Sequence, residues 1–132
     1  MGFLIDSDIL IYSLKGNSKV TQNFTDYEND TKSISIITYG ELVYGASKSE
    51  KIEKNLAVVY RLRDLFPIIN VDKPIIEIFA SLKSQKRKTG QITDDMDLII
   101  AATALCNNLI LVTNNEKHFR DIEGLQVQNW SK

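Results

Sequence analysis

Three acids, Asp6, Glu41 and Asp97, lie far apart in the chain, yet each falls where a strand is expected to end or a helix to begin. Carboxylates drawn within a few ångströms of one another resist ionising unless a cation compensates them. Oxygen donors without His or Cys neighbours suit hard ions such as Mg²⁺, with Mn²⁺ able to substitute. The chain has one histidine, His118, and one cysteine, Cys106, so a His-rich or thiolate centre cannot be built. A Ser-His-Asp triad has its residue types present, but no nucleophile-elbow sequence supports it. The inventory suits phosphoryl chemistry, in which a metal polarises the phosphate and activates a water. The run Lys83-Ser84-Gln85-Lys86-Arg87-Lys88 stands just before Asp94-Asp95-Met96-Asp97. Lys83, Lys86, Arg87 and Lys88 are therefore candidate phosphate contacts, and such contacts to a nucleic acid carry a salt dependence.

The elements that must position these residues alternate. Phe3-Leu4-Ile5 reads as a short buried strand ending at Asp6, and Ser7 or Asp8 is expected to cap a helix through Leu14. An amphipathic segment spans Val20 to Tyr27. Ser33–Ile36 reads as a second strand, and Thr38 is expected to cap the helix bearing Glu41. A helix from near Ser49 to Leu65 closes at Phe66-Pro67, and its Leu56, Val59, Tyr60 and Leu62 stripe reads as core or dimer interface. Ile68–Val71 is a third strand, and Pro74 sits in the first turn of a helix to about Lys88. Thr93 or Asp94 caps the apolar helix after Asp97. Leu109–Val112 is a fourth strand, with a short helix around 115–119 and a last strand near Val127. Strands alternating with helices predict an α/β fold: three layers, a central, mainly parallel sheet of four to five strands, and helices on both faces. In such sheets ligands gather at the carboxyl ends of the strands, where Asp6, Glu41, Asp97 and the Thr113-Asn114-Asn115 turn can meet.

A length of 132 residues with 43% apolar and 25% charged residues favours one soluble globular domain, 1–132. No apolar run approaches the ~20 residues that cross a bilayer, and Met1–Asp6 carries no export signal, so a cytoplasmic location is expected. Net charge is −1, with a pI near 5.8, which argues against a passive nucleic-acid binder but less so against a nuclease with an acidic centre. The lone Cys106 reads as a core residue, His118 as a surface or packing residue, and Tyr39 and Tyr44 as packing rather than base-stacking residues.

Four segments, in order, resemble the PIN domain family, most closely its VapC-type toxins: Leu4–Tyr12, Ile37–Ala46, Asp97–Ala104, and Leu111–Asn115 with His118-Phe119, Gly124-Leu125 and Trp130 behind it. The resemblance implies a PIN-like fold and a metal-dependent endoribonuclease. Its substrate would be structured RNA, tRNA or rRNA, and it would form a homodimer restrained by a VapB-like antitoxin. By position, Asp6, Glu41 and Asp97 become metal ligands, and Thr113 a polar residue beside the metal or phosphate. Asn115 stands where the family frequently has a fourth acid, and Asp8 where it usually has asparagine. Asp8 is thus a candidate for restoring the missing charge, and Asp94 for a supporting role. Two other readings are open: a non-catalytic PIN-like module binding RNA or protein, and a haloacid dehalogenase-type phosphatase using Asp6 as nucleophile and Asp8 as acid–base. A response-regulator receiver fits the length but lacks an acid after the third strand.

Overall fold

Phe3, Leu4 and Ile5 are wholly buried, and their alternation sends Phe3 and Ile5 into one core and Leu4 into another. Ile110 and Val112 repeat the first pattern and Leu111 the second, so the central strands are covered on both faces. The computed structural model, which describes Met1–Lys132, orders the elements as β1 (Gly2–Ile5), α1 (Ser7–Leu14), α2 (Ser18–Asp26), β2 (Thr31–Ser35), α3 (Ile36–Ser47), α4 (Ile52–Leu65) and β3 (Ile68–Ile69). There follow α5 (Lys73–Lys88), α6 (Asp95–Cys106), β4 (Ile110–Val112), α7 (Glu116–Phe119) and β5 (Val127–Gln128).

The five strands lie in the order β3-β2-β1-β4-β5 and all four pairings are parallel. Helices α1 to α4 supply the core on the Phe3 face, together with Trp130, while α5, α6 and α7 supply the other. The predicted three-layer α/β fold is therefore present. The chain leaves β1 toward β2 and β3 on one side, then returns to place β4 on the other side of β1. The crevice at the carboxyl ends of β1 and β4 is the switch point at which such sheets gather ligands. This order also differs from the 2-1-3-4-5 order of receiver folds, which removes that alternative.

Several local expectations shift. Asp6 itself caps α1, its carboxylate accepting from the Ser7 N–H, in place of Ser7 or Asp8. Ser35, not Thr38, caps α3: its hydroxyl accepts from the Ile37 N–H at 3.0 Å. The apolar pair Ile36-Ile37 reads as strand by residue type, but it forms the first turn of the helix. Thr38 is buried within that turn, and Glu41 consequently falls in the second turn rather than the first. β3 is only two residues long, because Asn70 and Val71 lead straight into the Asp72 cap of α5. Cys106, expected in the core, is exposed: it ends α6 on the side facing away from the sheet, while Ala101, Ala102 and Ala104 face inward.

Candidate active site

Asp6 continues the ladder of β1, its N–H bonded to the Val112 carbonyl at 2.9 Å, and is 5% exposed. One carboxylate oxygen accepts from the Ser7 N–H at 2.9 Å. The other accepts from the Thr113 hydroxyl at 2.8 Å, at the end of β4. Thr113 is fully buried, and its Oγ1 accepts in turn from the Asn115 N–H at 3.0 Å. Each Asp6 oxygen retains an open lone pair. Burial, and then the charge of Asp8, push the Asp6 carboxyl up to about 6, against the pull of its two hydrogen bonds.

Asp8, two residues further on, accepts from the Asn114 N–H at 3.1 Å through Oδ2, while its Oδ1 is buried with no partner. Burial raises its carboxyl, opposed by that amide and by the amides at the start of α1. Glu41 still reaches solvent. Even so, the surrounding protein, and then the charges of Asp6, Asp97, Asp94 and Asp8, push its carboxyl up to about 7. Asp97, in the first turn of α6, is raised by burial and by Asp94, and His118 partly offsets this. The His118 Nδ1 lies 3.1 Å from Asp97 Oδ2. Asp94 occupies the N-cap position of α6, exposed and without a side-chain cap bond.

Asp6, Glu41 and Asp97 thus share one electrostatic neighbourhood at the carboxyl edge of the sheet, joined by Asp8 and Asp94, with Thr113 bonded directly to Asp6. Asn115 is exposed and contributes its backbone N–H to Thr113. The acids approach without closing: no three His, Cys, Asp or Glu side chains already surround a common point. The donor set nevertheless fits a hard cation. It is all oxygen at its centre, it contains a buried oxygen without a partner, and its charges raise one another's proton affinity, which a divalent ion would relieve. Asp6, with both oxygens held and nearly no exposure, is poorly presented as a phosphatase nucleophile.

The basic run divides on folding. Lys83 is committed to Asp95 at 3.1 Å, Lys86 donates to the Gln91 side chain at 2.9 Å and lines a cavity with Asp97, and Arg87 and Lys88 are exposed at the end of α5. Two residues named in the sequence analysis take roles at the site that it did not give them. His118 contacts Asp97; its being the sole histidine, placed just after the fourth strand, was the available signal. Asn114 is a hub: beside its bond to Asp8, its amide donates to the Tyr12 hydroxyl at 3.2 Å and accepts from Asn129 and Ser131 at 3.0 and 2.9 Å.

The sequence profile of the PIN domain family matches residues 3–125. The chain is 32% identical over 134 aligned positions to Ribonuclease VapC2 of Rickettsia felis, with the whole of both chains covered. It is 29% identical over 129 positions to the tRNA(fMet)-specific endonuclease VapC of Shigella flexneri, with 98% of each covered. Among solved structures it is similar to a chain of VapBC2 from Rickettsia felis bound to a promoter DNA fragment, with a TM-score of 0.91, 32% identity and 98% and 99% of the two chains covered. It is also similar to a chain of VapBC-1 from nontypeable Haemophilus influenzae, with a TM-score of 0.90, 30% identity and both chains covered in full.

Proposed function

The chain belongs to the PIN domain family, and we propose that it is a Mg²⁺-dependent endoribonuclease toxin that cleaves structured RNA, tRNA or rRNA, in the cytoplasm and is restrained by a VapB-like antitoxin. One observation carries this proposal: Asp6, Glu41 and Asp97 lie near one another at the switch point of the sheet, without closing on a common point, and their carboxyls are held above the ordinary range. Support comes also from relatives named as ribonucleases and a tRNA-specific endonuclease, and from similar chains solved as VapBC assemblies.

Asp6, Glu41 and Asp97 would hold the ion, with Asp8 beside them. A bound divalent ion supplies a polarised phosphodiester and a water acidic enough to attack it at neutral pH. Thr113 donates to Asp6 Oδ2 and so fixes that carboxylate's plane, while His118 fixes the Asp97 carboxylate from the far side. The raised carboxyls of Asp6 and Glu41 make the proton a competitor of the ion, so affinity for the ion grows as these groups ionise.

A groove of about 440 Å³ between α1, α3 and α4, lined by Ile11, Leu14, Leu42, Val59 and Leu62, ends at Glu41. Ile11 and Leu14 are 39% and 53% exposed along it, an apolar surface suited to a partner helix that reaches the carboxylates. Tyr60 and Leu65, exposed on α4, leave apolar surface for a second copy of the chain in a homodimer.

The test is cleavage of purified tRNA and rRNA by the chain alone, with Mg²⁺ or Mn²⁺, with a chelator, and with Asp97→Asn. Cleavage that needs the ion and is lost in the variant is expected. No cleavage at any metal concentration, or equal cleavage by Asp97→Asn, refutes the enzyme. Growth arrest on expressing the chain without a partner is the expected cellular result.

A further inference from the structure

The turn that leaves β4 serves two acids at once. The Asn115 N–H donates to Thr113 Oγ1, whose hydroxyl donates to Asp6 Oδ2, and the Asn114 N–H donates to Asp8 Oδ2 at 3.1 Å. Beyond Thr113, whose N–H is bonded to the Gln128 carbonyl, the sheet ladder ends, so side chains must hold the turn. Asn114 does so with an amide that is hydrogen-bonded to no carboxylate. Its Nδ2 donates to the Tyr12 hydroxyl at 3.2 Å, and Tyr12 follows Asp8 by four residues, on the same face of α1. The backbone and the side chain of Asn114 therefore grip successive turns of α1. Its Oδ1 accepts from Asn129 Nδ2 at 3.0 Å and faces the Ser131 hydroxyl at 2.9 Å. That hydroxyl has one proton and also lies 2.6 Å from Asn129 Oδ1, so Asn129 is the firmer tie.

The segment that supplies these partners is itself fixed. Trp130 stands between them, 2% exposed, and packs against Phe3, Phe24 and Tyr27. The Ser131 N–H donates to Asn129 Oδ1 at 2.9 Å, and Asn23 Nδ2 donates to the Trp130 carbonyl at 3.1 Å. A polar network satisfied at every atom has one arrangement, because turning the Asn114 amide over would set its Nδ2 against the donors of Asn129 and Ser131. We propose that Asn114 is a positioning residue of the acid site and that Asn129 aims it. The burial of Trp130 is passed through Asn129 and Asn114 to the Asp8 carboxylate, and through the same turn to Thr113 and Asp6. The assignment rests on the ion-holding part of the reading above. It makes the grip on the ion depend on two amide side chains that bond neither the ion's candidate ligands nor Asp8.

The experiment uses the full chain with Asn114→Ala, with Asn129→Ala, with both, and with Ile75→Val, which lowers stability from the opposite core. Three quantities are measured: Mn²⁺ affinity, hydrogen exchange of the backbone amide of residue 114 in the metal-free chain by NMR, and tRNA cleavage resolved into kcat and KM. Asn114→Ala and Asn129→Ala are each expected to weaken Mn²⁺ binding roughly three- to tenfold, less than the loss of a direct partner of a ligand. Each is also expected to speed exchange at residue 114 about tenfold and to lower kcat with KM unchanged. The double variant is expected to lose no more than Asn114→Ala alone, since Asn129 acts through Asn114. Ile75→Val is expected to melt lower yet hold Mn²⁺ as the wild type does. Unchanged Mn²⁺ affinity in either single variant, losses that add in the double, or an equal loss in Ile75→Val overturns the positioning role, and cleavage by the wild type then leaves the nuclease standing. A wild type that binds Mn²⁺ but cleaves no RNA, with both variants weakened as expected, removes the nuclease and keeps the positioning role. A wild type that binds no Mn²⁺ overturns the ion-holding reading and the positioning role with it.

Discussion

Replacing Asp6 by Asn tests whether the acid cluster is a strained anion site. Asp6 is nine-tenths buried or more, so its raised carboxyl converts directly into free energy. Moving it from 3.8 to about 6 disfavours the charged form by about 3 kcal/mol. The sign follows from proton binding. Over the window from about 4 to 6 the folded chain keeps a proton that the unfolded chain has lost, so stability falls as pH rises, and the full penalty is reached above about 6. Asn cannot ionise, and it keeps the Ser7 contact through its carbonyl, but it forces the Thr113 hydroxyl to find another acceptor at a cost of about 1 kcal/mol. Metal-free Asp6→Asn is therefore expected to be about 2 kcal/mol more stable than wild type near pH 8, or roughly 6–10 °C in Tm, with no gain below about pH 4. Mg²⁺ at about 100 times its Kd should stabilise the wild type by about 2.7 kcal/mol and the variant hardly at all. Thermal unfolding of both proteins across pH, in chelator and in Mg²⁺, measures all of this. A variant less stable than wild type near pH 8 in chelator, or one gaining as much from Mg²⁺, refutes the reasoning.

Thr113→Val removes the hydroxyl that links Asp6 to Asn115, and should weaken divalent-ion binding about 10- to 100-fold, read by Mn²⁺ titration, while the fold persists by circular dichroism. Trp130→Ala deletes a side chain that is 2% exposed, stacked on Tyr27 and edge-on to Phe3 and Phe24, and should cost about 3–5 kcal/mol in urea unfolding. RNA cleavage by the wild type should rise with pH through about 6 to 7, as Asp6 and Glu41 give up the protons that compete with the ion; a rate that falls across that window would contradict the assignment of both acids.

The layers and the parallel sheet were legible because buried strands advertise themselves: Phe3-Leu4-Ile5 and Ile110-Leu111-Val112 have no polar interruption, and Gly16, Gly90 and Pro74 mark helix ends. The three acids were legible from their motifs and their places beside strand ends. The start of α3 was not, because Ile36 and Ile37 are β-formers held in a helix by the Ser35 hydroxyl and by packing. Cys106 misled because α6 is apolar on nearly every side, so sequence could not show which side its last residue faces. Asn114 and His118 owe their roles to partners 106 and 21 residues away, a distance over which no local pattern carries information. Lys83 and Lys86 look alike in a basic run and stand one turn apart on one face of α5, and only the folded chain sets Asp95 beside the first and Gln91 beside the second.

The bond from Thr113 to Asp6 spans 107 residues, and the bonds that clamp Asn114 reach on to Asn129 and Ser131. During synthesis Asp6 is made long before its neighbouring strand β4 exists. Until residues 110–131 have emerged, β1 lacks one of its two flanking strands, the Asp6 carboxylate lacks its bracket, and Trp130 is missing from the first core. A nascent chain therefore carries the acids without the frame that aims them. On the proposed function, catalytic competence would arrive late and all at once, a useful property in an RNA-cutting protein assembled on a machine made of RNA.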